Sequence, residues 1–409
     1  MNASITCPPI RVRGRFLCQG GDRFFVRGVA YQVRSTLDPI SDDRLAELKN
    51  DILLFKELGL NTLFVYCIDS TKDHTEAMKL LEEAGIYVFT VGSCLPLRYL
   101  YIELTMHASI KTVSTPFNAI NRLAPNESYN PVTMVSFFKT VGIMASFPNT
   151  LGLLAGNELI NNDATMPVAG VLKAVVRDLK KYMKLQNEAN GQRVLPIGYN
   201  AATSSARDQE VLEYLTVGDD EISIDFWACK NYDWKEISDM TRSGYNDLLH
   251  RFSGTTIPMF FSEYGNTSHQ PRLFQETAAL YSPPMSRVFS GGCVYEFWQS
   301  TNGYGLVEML RHGSDNQVPA LRKNPHDESK ISERREIYGG MLLIFKDFVN
   351  YKTKLAEVSS VEVGIVIEAA EREGEQVQTD TKASGPWQAK FRMLETCVDW
   401  HEMEGILSR

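Results

Sequence analysis

Apolar positions along the chain switch repeatedly between two spacings. Short runs rich in aromatic and β-branched residues read as strands: "FFVRGVAYQ" (Phe24–Gln32), "NTLFVYCI", "IYVFTV", "LGLLAGNE", "RVLPIGYN", "IDFWACKNY", "IPMFFSEYG" and "GGCVYEFWQ". Between them lie stretches with apolar residues at helical spacing, among them "DDRLAELKNDILLFKELG", "KDHTEAMKLLEEAG", "PVTMVSFFKTVGIMASF" and "AGVLKAVVRDLKKYMKL". The first two stop at Gly59 and Gly85, as helices do when a left-handed residue closes the last turn. Further helical stretches are expected around Asn246–Phe252, Leu273–Tyr281 and Arg334–Val349.

Eight strands alternating with helices over roughly 330 residues predict an α/β fold, a (β/α)8 TIM barrel, with an irregular C-terminal tail. A doubly wound sheet is the competitor. It brings a glycine-rich phosphate turn after its first strand, whereas "VAYQVRSTLDP" carries no glycine there. Two stretches break the rhythm: Gly92–Val113, without clear periodicity, and the polar "EREGEQVQTDTKASGPWQ" near the end. The expected division is therefore 1–355 as the barrel, with an atypical insert at 92–113, and 356–409 as a tail with no recognisable domain.

Composition narrows the function. The 409 residues are 44% hydrophobic and 22% charged, with a net charge of −8, so no basic footprint suggests nucleic acid. None of the seven cysteines sits at CxxC spacing and no HExxH pair occurs, which argues against a zinc site and for buried free thiols. The start lacks the apolar core of a signal peptide, the end lacks an apolar lipid-anchor tail, and no run is long enough to span a membrane.

The candidate chemistry lies where strands end, the catalytic face of such barrels. The fourth ends in Asn157 and Glu158, the seventh in Glu263. Alone, either glutamate reads as a solvated or helix-capping residue. Together at one barrel mouth they form the acid pair of glycoside chemistry, one protonating the leaving oxygen, the other ionised. Tyr66, Tyr232, Trp234, Tyr295 and Trp298 fall at or near strand ends, and rings there pack on sugar C–H faces; about half are expected to be core residues instead.

The segments "FKELGLNTLFVYCID", "DHTEAMKLLEEAGIYV", "STPFNAINR", "LGLLAGNELIN", "IGYNAA", "IPMFFSEYG" and "YGLVE" closely resemble the fungal β-1,3-glucanosyltransferases, glycoside hydrolase family 72, over about Ile10–Leu355. The resemblance implies a retaining transglycosylase that cleaves β-1,3-glucan and passes the new end to another glucan chain, without a cofactor. It implies Glu158 as acid/base, Glu263 as nucleophile, Asn157 at the sugar 2-hydroxyl, and Gln32, Tyr66, Tyr232 and Tyr295 along the glucan cleft. Donor and acceptor glucans are the implied partners, with no protein partner, and the cell surface or wall is the implied location. The chain departs from the family at Leu48, Ala77 and Lys235, where cysteines are usual, and at Val91, near the usual site of a cleft aspartate. The segment 92–113 reads as a translated intron or as a loop beside the cleft. A plain endo-β-1,3-glucanase and a catalytically impaired glucan-binding relative remain the alternatives.

Overall fold

A computed structural model of the chain describes residues 7–33, 38–92, 119–202, 206–235, 237–311, 328–337, 340–359 and 391–407. The insert at 92–113 lies almost wholly outside them. The described chain opens with a small antiparallel sheet, β1 (Ile10–Arg13), β2 (Phe16–Gln19) and β3 (Asp22–Arg23). Eight parallel strands follow: β4 (Val26–Ala30), β5 (Thr62–Val65), β6 (Tyr87–Val91), β7 (Thr150–Asn157), β8 (Ile197–Ala201), β9 (Phe226–Asn231), β10 (Met259–Tyr264) and β11 (Phe289–Val294). They close into a barrel when β11 pairs back onto β4.

Helices cover the outside: α1 (Leu45–Leu58), α2 (Thr75–Glu83), α3 (Pro125–Ser128), α4 (Pro131–Met144), α5 (Val168–Asn190), α6 (Ala206–Thr216), α7 (Tyr245–Phe252), α8 (Gln275–Leu280) and α9 (Pro283–Ser286). The stop signals act as expected. Gly59 adopts φ 77° and its N–H reaches the carbonyls of Phe55 and Lys56. Asn130 caps α4 by accepting from the Thr133 N–H, with Pro131 in the first turn.

The helix expected over Arg334–Val349 is instead largely strand. β12 (Val307–Arg311), β13 (Ile331–Ile337) and β14 (Gly340–Phe345) form an antiparallel sheet in the order β12-β14-β13, and α10 (Lys346–Ser359) begins only after it. The central strand reads "GMLLIF", a short apolar run that suits a strand held between two partners.

Successive strand residues face opposite sides, which splits the apolar side chains into two cores. Leu63 and Val65 join the layer between strands and helices, whereas Phe64 and Tyr66 point into the barrel with Tyr87, Phe89 and Val91. The barrel interior is filled by rings: Phe64 stacks on Phe89 at 4.5 Å, and Phe89 meets Phe260 edge-on at 5.2 Å. Ile10 and Leu17 of the N-terminal sheet floor it together with Cys7, just before that sheet, and the Tyr87 hydroxyl donates to the Pro8 carbonyl at 2.6 Å. The floor leaves the C-terminal ends of the strands as the open end.

Beyond Leu355 the chain completes α10. Residues 391–407 then return to the barrel. Arg177 donates to the Leu394 carbonyl at 2.8 Å, and α11 (Trp400–Leu407) sets Trp400 under the Lys181 ammonium, 4.6 Å from its ring centre. Trp400 and the Arg177 contact anchor this part of the expected tail, which is ordered against α5.

Phe226 explains two glycines. A Cβ on Gly198 would lie 2.3 Å from its ring, and one on Gly152 2.8 Å. Gly198→Ala should lower the unfolding free energy by about 1–3 kcal/mol, the cost of overpacking, read from urea midpoints; a neutral result would mean that Phe226 has room to move.

Candidate active site

Glu263 sits on β10, whose register slips between Phe261 and Glu263 against β9. Such an irregularity re-aims a side chain, and here it turns the carboxylate into the barrel mouth. The residue is only 2% exposed, yet its oxygens are served. Tyr66 donates to Oε1, Tyr232 donates to Oε2 at 2.8 Å, and the Lys230 ammonium lies 2.9 Å from Oε1. Burial first, and then the charge of Glu263, push both phenols well above their ordinary range, so they stay protonated donors. Asn266 holds the Tyr232 segment by donating to its carbonyl.

Glu158 follows β7, which also breaks register, between Leu154 and Asn157. It adopts φ 54°, an uncommon conformation for a residue with a side chain. Backbone bonds hold it there. Its N–H donates to the Asn200 carbonyl at 2.8 Å, and its own carbonyl accepts from Arg122 at 3.2 Å. Its side chain is about one-third exposed and pairs with the Lys230 ammonium. Burial raises its pKa, Lys230 opposes this, and the nearby Glu263 charge adds to the rise. Asn157 is 5% exposed and accepts from Asn200 at 2.6 Å, and Asn200 in turn accepts from Ser262 at 2.6 Å.

One ammonium touches an oxygen of each acid, so the two carboxyl groups lie close together at the barrel mouth, as the pair of a retaining enzyme must. The two environments differ in the way such chemistry needs. Three donors serve the oxygens of the buried Glu263. Glu158 is the more exposed acid, raised in pKa and able to reach an incoming hydroxyl. The arrangement can perform attack by one carboxylate and proton exchange by the other.

The other sequence candidates divide. Tyr295 follows β11 and forms a ring cluster with Tyr304 at 5.3 Å, and Tyr304 meets Tyr232 at 5.8 Å. Gln32 stands half-buried beyond β4 on the same rim, with no hydrogen bond to either glutamate among the described residues. Trp234 is not at the mouth surface: it is 6% exposed and packs edge-on against Tyr245. Trp298 is half-buried and spends its indole N–H on Asp51 at 3.2 Å. Val91 is buried inside the barrel, so β6 supplies no acid at its end. Leu48 and Ala77 are fully buried in one apolar cluster, where α1 and α2 meet.

Two residues escaped the sequence reading. Tyr304 lies in a loop and left no periodic signal. Lys230 did leave one, a cation one position before the end of a buried strand, in "DFWACKNY". Arg272 supports the ring cluster from below. It pairs with Asp347 at 2.5 Å and donates to the Tyr295 carbonyl at 2.6 Å and to the Tyr304 carbonyl. Cys7, Cys67, Cys229 and Cys293 are buried free thiols, Cys18 is buried, and Cys397 is partly exposed. Among the described residues no helix is long and apolar enough to cross a membrane, and no cluster of metal ligands occurs.

Comparison with known proteins bears on the family and the fold. A sequence model of the family described as Glucanosyltransferase matches residues 1–93 and 103–329. The 1,3-beta-glucanosyltransferase gel1 of Aspergillus fumigatus is 38% identical over 316 residues, covering 76% of this chain and 63% of that relative. The 1,3-beta-glucanosyltransferase GAS5 of Saccharomyces cerevisiae is 38% identical over 315 residues, covering 75% and 60%. The chain thus spans less than two thirds of the length of either. The crystal structure of Saccharomyces cerevisiae Gas2p in complex with laminaritriose and laminaritetraose superposes with a TM-score of 0.73 at 29% identity, covering 97% of this chain and 78% of that one.

The Asp51 site beside the rim makes a prediction about pH. Asp51 is 3% exposed and accepts from Tyr31 at 2.5 Å and from Trp298. Burial is the larger effect, these bonds oppose it, and its pKa is pushed up to about 7. A raised carboxyl binds its proton more tightly in the folded state. Its contribution is therefore full at acid pH and is lost as pH rises from about 4 towards 7. Unfolding free energies of wild type and Asp51→Asn should diverge by about 1 kcal/mol per pH unit across that window, in favour of the variant as pH rises. Parallel curves would show that Asp51 is already ionised in the folded protein.

Proposed function

The chain belongs to the glucanosyltransferase family, glycoside hydrolase family 72, and from that membership we propose that it is a β-1,3-glucanosyltransferase acting by retention. The observation that carries the reading is the acid pair joined by one ammonium, Glu263 in a nest of donors and Glu158 beside it with a raised pKa. The catalytic unit is the barrel of residues 1–355.

Glu263 attacks the anomeric carbon of a bound glucan as Glu158 gives its proton to the departing oxygen. The C–O bond breaks, a glucosyl ester forms on Glu263, and the leaving chain departs as an alcohol. An acceptor hydroxyl then gives its proton to Glu158 and attacks the same carbon, and the ester bond returns its electron pair to Glu263. Two displacements restore the original β configuration. Asn157, fixed by Asn200, contacts the 2-hydroxyl. Gln32, Tyr66, Tyr232 and Tyr295 line the cleft, with Tyr304 bracing Tyr232 and Tyr295.

Transfer competes with hydrolysis because the ester partitions between water and a sugar. Rings that hold an acceptor beside the ester raise its effective concentration far above that of a free sugar. The partners are therefore donor and acceptor β-1,3-glucan chains, and the location is the outer cell surface or wall, where such polymer is remodelled. Gas2p, the solved relative, is seen with laminarin oligosaccharides, which supports this substrate class. One observation favours a second reading. Val91 closes β6 with an apolar side chain, which fits a relative that binds glucan with impaired turnover.

Incubation with a reduced laminarin-type oligosaccharide should yield products longer than the substrate. Only shorter products would identify an endo-glucanase, and binding to insoluble β-1,3-glucan with unchanged oligosaccharides would identify the impaired relative. Glu158→Gln should cost about 10²–10⁴-fold in turnover, and Glu263→Gln should abolish it. Azide should rescue Glu158→Ala as the β-glycosyl azide and Glu263→Ala as the α-anomer; near-normal activity in either variant would remove that role.

A further inference from the structure

Lys230 is a cation placed by backbone register. On β9 it pairs directly with Glu263 of β10. Its side chain is 17% exposed, its ammonium contacts Glu158 Oε1, and it lies 2.9 Å from Glu263 Oε1. The order is carboxylate, ammonium, carboxylate. Attraction along such a row outweighs the repulsion between its ends, because the opposite charges are the nearer neighbours. The remaining groups facing the row are Arg122, on the Glu158 carbonyl, the phenols of Tyr66, Tyr199, Tyr232 and Tyr295 and the Cys293 thiol, the phenols and thiol all raised and so neutral. Lys230 is thus the cation that contacts both acids among the described residues.

The two half-reactions ask opposite things of Glu158. Bond cleavage needs it protonated, whereas transfer to the acceptor needs it ionised. A cation in contact favours only the second condition. We propose that Lys230 is a positioning residue that tethers Glu158 to Glu263 and biases Glu158 towards its proton-accepting form, favouring transfer from the glucosyl ester over formation of that ester. The inference rests on the proposed function for its chemistry. The tether itself rests on the contacts alone. The bond changes are those of the two displacements above, and Lys230 keeps its protons throughout.

The decisive test does not need turnover. Protein labelled with carbon-13 at the glutamate side-chain carboxyl is titrated by NMR, with Glu158 assigned by the resonance lost in Glu158→Gln. Lys230→Met removes the attraction and leaves burial and the Glu263 charge, so the Glu158 midpoint should rise by about one pH unit or more, tenfold or more in proton affinity. Lys230→Arg should hold it near the wild-type value. Lys230→Gln, neutral and polar, should behave as the methionine variant and serves if that variant does not fold. An unmoved or lowered midpoint in the neutral variants overturns the tether. In the same proteins, the limb at which kcat/KM falls with rising pH should move upward without Lys230, and the glucosyl ester should accumulate. A limb that stays put would overturn the bias. A wild type that leaves laminarin oligosaccharides unchanged, with the titration shift still present in the Lys230 variants, sinks the proposed function and leaves the tether standing. Turnover with an unmoved titration sinks the tether alone.

Discussion

A carboxyl group that is 2% exposed must have its lost hydration replaced by partners within the protein, and Glu263 finds them in Tyr66, Tyr232 and Lys230. The donors come from the ends of β5 and β9 and from the segment after β9, and the acceptor from β10. They can meet only because a closed parallel sheet brings all strand ends to one rim. Around them the structure is arranged to keep the rim fixed. Rings fill the barrel below, the N-terminal sheet floors it, and Arg272 ties the Tyr295–Tyr304 segment to Asp347.

The parts of this design with a periodic signature were legible in the sequence. Eight apolar runs broken by helical spacing gave the barrel, and glycines such as Gly59 marked where helices stop. The glutamates were visible because an ionisable residue at the end of an apolar strand conflicts with its surroundings, and such conflicts gather at functional sites. The same logic applied to Lys230, where strand membership hid a charge. Trp234 shows the limit in the other direction. Nothing in sequence separates a ring that faces a sugar from one that faces Tyr245, since both lie near a strand end.

Other parts had no local signature. In the sheet of β12, β13 and β14 the central strand pairs both with its neighbour β13 and with β12, distant in sequence, and the apolar run "GMLLIF" could not be told from a helix by its own spacing. The register slips in β7 and β10, which aim Glu158 and Glu263, are properties of neighbouring strands rather than of either strand alone. The replacement of an expected cysteine pair by Leu48 and Ala77 is intelligible only once α1 and α2 are seen to meet. Two fully buried apolar side chains there stabilise the contact through packing.

Coupling between the acids follows from their closeness. Whatever protonates Glu158 also lowers the negative charge beside Glu263, and in the proposed reaction formation of the glucosyl ester on Glu263 removes a negative charge beside Glu158. With the ester in place, Glu158 loses the neighbour that raised its pKa while keeping Lys230, provided the ammonium remains in contact. Its affinity for a proton then falls. Glu158 is thus better suited to hold its proton before the ester forms than after. The proposed two-step reaction needs this alternation of acid and base at one side chain, and the charge that moves in it would supply that alternation. A fixed cation adds a constant offset to that cycle, so its effect is felt as a change in the balance between the two steps rather than as the loss of either.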